Sequence, residues 1–123
     1  MQGMYFFSTL KSHTNWVRSV AYSPDNLRIV SSSDDDSIKI WDAHSYQLLN
    51  TLNGHTNMVN SVVFSPNNLS IASGSCDNTI IIWDAHSGQL LNTLKKMKTS
   101  FHFFEKIFNT HCIVSIKYFD WSY

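Results

Sequence analysis

HTNWVRSVAYSPDNLRIVSSSDDDSIKIWDAHSYQLLNTL (residues 13–52) is followed, after Asn53 and Gly54, by HTNMVNSVVFSPNNLSIASGSCDNTIIIWDAHSGQLLNTL (residues 55–94). The offset is 42 residues without a gap, and residues 11–52 match residues 53–94 at 27 of 42 positions. A period of this length marks a stacked-repeat architecture, in which one unit cannot bury its apolar face alone and leans on its neighbour.

Inside each copy, turn signals separate four strand-like runs. In the first copy the spacing predicts strands near Trp16–Tyr22, Leu27–Ser33, Ser37–Asp42 and Tyr46–Leu52. Ser23-Pro24, the acidic stretch 34–36 and Ala43-His44-Ser45 fall between them. Proline presets φ, and Asp or Asn can hydrogen-bond its own backbone, so both suit turns. The runs SVVF (61–64) and TIIIW (79–83) do not alternate polar with apolar. Such runs fit strands covered on both faces. The class is all-β.

The period extends outward. YFFSTL (5–10) aligns with QLLNTL at 47–52 and 89–94, which predicts an outer strand of an adjoining unit within residues 1–10. On the far side, Ile113-Val114-Ser115 lies two periods beyond Ile29-Val30-Ser31. IKYFD (116–120) is similar to IKIWD (38–42), but six residues early. Residues 95–123 therefore read as a degenerate third repeat that has lost a turn, or as a tail foreign to the pattern. Charge divides at the same place: residues 1–94 carry a net −3 and residues 95–123 a net +3.

Overall the chain is neutral, with nine Lys+Arg against nine Asp+Glu. A nucleic-acid binder would show a basic footprint, so nucleic acid is not the expected partner. Cys76 and Cys112 form neither a disulfide framework nor a paired metal motif. Their scarcity favours a reducing, intracellular location, with the cytoplasm expected. No stretch approaches the about 18 apolar residues that suggest a membrane span. MQGMYFFSTL at the N-terminus lacks the basic and apolar regions of a signal peptide.

The spacing His13…Asp35…Trp41-Asp42, repeated as His55…Asp77…Trp83-Asp84, resembles the WD-repeat (tryptophan-aspartate repeat) β-propeller family. Gly54-His55 has that family's GH pair, where the first copy has Ser12-His13. The resemblance implies a partial β-propeller: an outer strand of an adjoining blade at 1–10, complete four-stranded blades at 11–52 and 53–94, and the remnant at 95–123. It also implies a buried hydrogen-bond tetrad in each blade, His13–Asp35–Ser33–Trp41 and His55–Asp77–Ser75–Trp83. Ser31 and Ser73 are possible substitutes, since residues two apart share a strand face.

A His, a Ser and an Asp also suggest a catalytic triad. The pattern occurs twice in the same framework, there is no Gly-x-Ser-x-Gly elbow, and the tryptophan would have no role. No enzyme activity, cofactor, small-molecule substrate or metal is expected. His44 and His86 sit one per copy in turns without a partner at ligand spacing, and His102, His111 and Cys112 match no zinc template. Lys95-Lys96-Met97-Lys98 reads as a solvated connector.

Differences between the copies mark candidate contact residues: Trp16/Met58, Arg18/Asn60 and Asp34/Cys76. In the family these positions lie on the rim where partners dock, and Trp and Arg are enriched in binding hot spots. The implied function is a non-catalytic protein–protein interaction scaffold. The alternative is a regulatory or sensor propeller portion of a larger enzyme such as a signalling NTPase. Since about four to eight blades close a propeller, the chain reads as a fragment or truncated product of a longer protein, as a self-associating one, or as a small stack sealed by its aromatic tail.

Overall fold

The computed structural model describes residues 8–95, 104–106, 114–116 and 119–121. Among these there is no helix, and eight strands form two four-stranded antiparallel sheets. Blade 1 contains β1 (Val17–Tyr22), β2 (Arg28–Ser33), β3 (Ser37–Asp42) and β4 (Leu48–Asn53), hydrogen-bonded in that order. Blade 2 contains β5 (Val59–Phe64), β6 (Ser70–Ser75), β7 (Thr79–Asp84) and β8 (Leu90–Lys95) in the same order. β3 has the limits expected from sequence, and the other three strands of blade 1 differ by one or two residues, because a strand ends where ladder bonds end and not where apolar residues do.

Turn chemistry explains the breaks. Asp25 Oδ1 accepts bonds from the Ser23 hydroxyl (2.6 Å) and the Leu27 amide (3.0 Å), closing the β1–β2 turn. Asn26, Asp36, Asn68 and Asn78 take positive φ in their turns. Asn and Asp tolerate that region better than other residues with a Cβ. Asp42 Oδ1 accepts the amides of His44 (2.8 Å) and Ser45 (2.7 Å), and Asp84 does the same for His86 and Ser87.

A bulge in β1 lets Val17 and Val20, three residues apart, lie on the same face as Tyr22, opposite Ser33, Ser31 and Ile29. The same irregularity in β5 aligns Val59, Val62 and Phe64. We call this the leading face of each blade; the opposite one is the trailing face. Blade 2 lays its leading face on the trailing face of blade 1. Val59, Val62, Ile71, Ile81 and Trp83 meet Val30, Ile38, Ile40 and Leu52 in one core. Polar contacts lock the same joint. Arg28 donates to the carbonyls of Ala85 and Asn68 and covers the Phe64 ring, while Asn50 Nδ2 donates to the Ser87 carbonyl.

The trailing face of blade 2 has a different cover. β9 (Phe104–Lys106) and β10 (Val114–Ile116) pair antiparallel. β10 lies over β5 and β6. Ile116, Phe119 and Trp121 pack on Ala72, Ile80, Ile82 and Leu94, and the Ile116 amide donates to Ser61 Oγ at 3.0 Å. β5 lies over β1 and β2 in the same manner, so β10 takes the seat of a first strand. The alignment put its residues in a second and third strand; packing on an existing face overrides that weak similarity. Residues 8–10 form no strand, and the rest of the expected N-terminal strand lies outside the described residues.

Candidate functional site

In each blade the loop before the first strand brings a histidine onto the second and third strands. His13 Nδ1 lies 2.9 Å from Asp35 Oδ2, and its Nε2 lies 2.7 Å from Ser31 Oγ. Trp41 Nε1 donates to that same Ser31 Oγ at 3.0 Å. Blade 2 repeats the chain: His55 with Asp77 (2.8 Å) and Ser73 (2.7 Å), and Trp83 with Ser73 (2.8 Å).

The serine of the chain is Ser31 in blade 1 and Ser73 in blade 2, not Ser33 and Ser75. Register gives the reason. Ile29 lies opposite Trp41, so Ser31 is one two-residue step away from the indole and Ser33 is two steps away. Each such step is about 7 Å along a strand, so the indole spans one step and not two. Ser33 instead accepts the Asp35 amide (3.0 Å) and donates to the Asn15 carbonyl (3.3 Å). Ser75 bridges the Asp77 amide and the Asn57 carbonyl in the same way.

Donor logic orients the network. An indole N–H can only donate, so the serine oxygen accepts it and turns its own hydrogen to histidine Nε2. Nδ1–H then faces the carboxylate, an assignment made from the network itself. Burial holds His55 below its ordinary pKa, against the opposing pull of Asp77. The close His55–Asp77 contact is therefore a hydrogen bond from a neutral ring at neutral pH, not an ion pair. Burial would raise both carboxyls, yet hydrogen bonds outweigh it and hold them below the usual range. For Asp35 these come from Ser37, His13 and the Ser37 and Thr14 amides; for Asp77, from Thr79, His55 and the Thr56 amide. Ser37 and Thr79, at 2.6 and 2.5 Å from the carboxylates, are network members that sequence reasoning missed. Their signal was a hydroxyl two residues after the turn Asp in both copies.

The residues that differ between the copies form separate groupings. Trp16 is 70% exposed, whereas Trp41 and Trp83 are 5% and 1% exposed. The Arg18 guanidinium sits 5.1 Å from the Trp16 ring centroid and grips Asp34 with two 2.7 Å bonds. Asp34 thereby raises the pKa of Arg18. In blade 2 the corresponding Met58, Asn60 and Cys76 are half-buried, with Asn60 Nδ2 donating to Cys76 Sγ at 3.0 Å. Each group of three differing positions thus forms one cluster. His44 and His86 are exposed. No group of three or more His, Cys, Asp or Glu side chains is placed to hold a metal among the described residues. His102, His111 and Cys112 lie outside them.

A family model described as "WD domain, G-beta repeat" matches residues 5–42 and 46–84. This chain belongs to that family. Its WD repeats are 46% identical over 33 residues to "Lissencephaly-1 homolog 1" of Paramecium tetraurelia, covering 27% of this chain and 8% of the relative. They are 54% identical over 37 residues to "Vegetative incompatibility protein HET-E-1" of Podospora anserina, covering 30% of this chain and 3% of the relative. The solved "Structure of U3-55K" superposes with a TM-score of 0.70 at 28% identity, over 72% of this chain and 29% of that one. "Crystal structure of RRP9 WD40 repeats" gives 0.70 at 29%, over 72% and 28%. The WD repeats here thus span less than a third of each of these proteins, and the partial-propeller class expected from sequence is borne out. Among the described residues, no helix is long and apolar enough to cross a membrane.

Proposed function

We propose that this chain is part of a non-catalytic protein–protein interaction scaffold, an intracellular propeller whose contact site is the Trp16–Arg18–Asp34 cluster. One observation carries the reading: an exposed tryptophan lies beneath an arginine that a carboxylate already holds in place. A side chain ordered before binding loses less rotamer freedom when a partner arrives. Trp and Arg are also residue types that dominate binding energy when a partner desolvates them. Met58, Asn60 and Cys76 extend the site onto blade 2.

The His–Ser–Asp constellations support a structural role. Ser73 is fully buried and Ser31 nearly so, and both oxygens are occupied by an imidazole and an indole. If the propeller serves as the regulatory portion of a larger enzyme, the same surface keeps the same role.

Affinity capture with quantitative mass spectrometry tests the reading, using the chain, Trp16→Ala, Arg18→Ala and His44→Ala as baits. Proteins held by the chain and by His44→Ala should fall away about thirtyfold with Trp16→Ala, the loss typical of a hot spot. Melting curves should stay unchanged. Capture that survives Trp16→Ala with Arg18→Ala, but vanishes with His44→Ala, puts the functional face on the wrong side.

A further inference from the structure

Val17, Val20 and Tyr22 on the leading face of blade 1 are 54%, 63% and 61% exposed. Val59 and Val62, their equivalents in blade 2, are 0% and 2% exposed beneath the trailing face of blade 1. That trailing surface recurs in blade 2 as Ala72, Ile80, Ile82 and Leu94, covered by Ile116, Phe119 and Trp121. The tail covers it less fully than a blade does. Ile82 and Leu94 stay half-buried, whereas Ile40 and Leu52 are each 1% exposed under blade 2.

We propose that two molecules of this chain join head to tail, the leading face of blade 1 in one displacing β10, Phe119 and Trp121 from the trailing face of blade 2 in the next. This gives the self-association expected from sequence its two surfaces, and it does not rest on the rim reading. The joint rebuilds between molecules the contact that stacks blade 2 on blade 1 within one. Val17, Val20, Ile29 and Trp41 would play the parts of Val59, Val62, Ile71 and Trp83. Asn92 would stand where Asn50 reaches the Ser87 carbonyl, with Ser45 as its new acceptor.

Four residues weaken the intermolecular copy. Lys39, whose Nζ donates to Thr51, stands where Ile81 enters the joint core, and the smaller Ala72 stands where Val30 does. Ser70 replaces Arg28 and is too short to reach the carbonyls that the guanidinium holds. Tyr46 replaces Gly88, where a Cβ would meet Asn50 Nδ2 at 2.3 Å and Leu52 at 2.9 Å within the chain. Between molecules Asn92 and Leu94 would have to give way to the Tyr46 side chain. The two faces differ, so the contact is heterologous.

Sedimentation velocity of the full chain over a concentration series tests this, with circular dichroism verifying each variant's fold. The parent should gain mass with concentration. Val20→Glu, at an exposed position, should weaken association on the order of tenfold or more by placing a charge in the joint. Ser70→Arg and Tyr46→Gly should each tighten it about tenfold, and Phe119→Ala should tighten it by loosening the tail. A parent that stays monomeric at every soluble concentration overturns the proposal, as does assembly that survives Val20→Glu. Association lost with Val20→Glu but indifferent to Ser70→Arg also overturns it, because two leading faces would then be meeting each other.

Discussion

β1 and β5 share Val, Ser and Val at matching places and lie in opposite surroundings. Val17 and Val20 face solvent, while Val59 and Val62 lie in the main core of the molecule. Both strands make the same pairings, with the same bulge, to the second strand of their own sheet. Local sequence thus built the strand twice, but burial came only where another blade arrived. Burying a Val side chain is worth about 1.5–3 kcal/mol. The leading strand of blade 1 has not collected that stabilisation.

The largest expected effect concerns the networks. Asp77→Ala strips partners from His55, Thr79 and the Thr56 amide. Unpaired buried groups cost roughly 1–3 kcal/mol each, so a loss of about 3 kcal/mol or more is expected in chemical denaturation. Asp35→Ala should cost a similar amount, because the His13 and His55 side chains are 5% and 0% exposed and both carboxylates are 10% exposed. Parental stability in both variants would remove the network from the account of the fold.

Next in size is the valine pair. Val62→Ala should lower stability by about 2 kcal/mol, whereas Val20→Ala should change it by less than about 0.5 kcal/mol. Equal costs, measured at a concentration where the chain is monomeric, would mean that the blade stack does not exist in solution.

Acid should then act in stages. His55 has a lowered folded pKa, so the unfolded chain takes up its proton first as pH drops through about 6.5. That contribution is full above this point and is lost through the lowered folded pKa. Asp35 and Asp77 have lowered pKa values as well; their contribution is present above about 3.9 and fades as pH falls further. Melting temperatures should decline below about pH 6.5, and His55→Gln should remove the first stage alone. An unchanged first stage in His55→Gln would assign it to another group.

The smallest effect lies in a turn. Tyr46 holds φ at 63° where blade 2 has Gly88 at 77°. A left-handed residue with a Cβ costs about 1–2 kcal/mol, so Tyr46→Gly should stabilise the monomer by about 1 kcal/mol. Gly88→Ala should destabilise it, since Asn50 and Leu52 crowd that position across the stack. A destabilised Tyr46→Gly in thermal melts would show that the tyrosine ring contributes more than its backbone costs.

Much of this was legible in the chain itself. The 42-residue period and its turn residues marked eight strands and two blades, and three of the four members of each network. The fourth, the serine, was left between two candidates, and the hydroxyls of Ser37 and Thr79 that join the network were missed. Ser31 and Ser33 share a strand face, and choosing between them required the β2–β3 register. Asp42 and Asp84 were visible as a motif, but their work in capping the next turn showed only in the amides they accept.

What the sequence determined alone was everything set within a few residues: where strands run, which turns need Asn or Asp, and which polar side chains recur. Those signals are local, because alternation has a period of two residues and a turn spans about four. The tertiary structure alone decided which valines are buried, that β10 sits as a first strand on blade 2, and that Arg28 clamps the two blades. Residues that the two repeats share cannot by themselves encode different environments. Environment comes from the neighbour, and only packed sheets have neighbours.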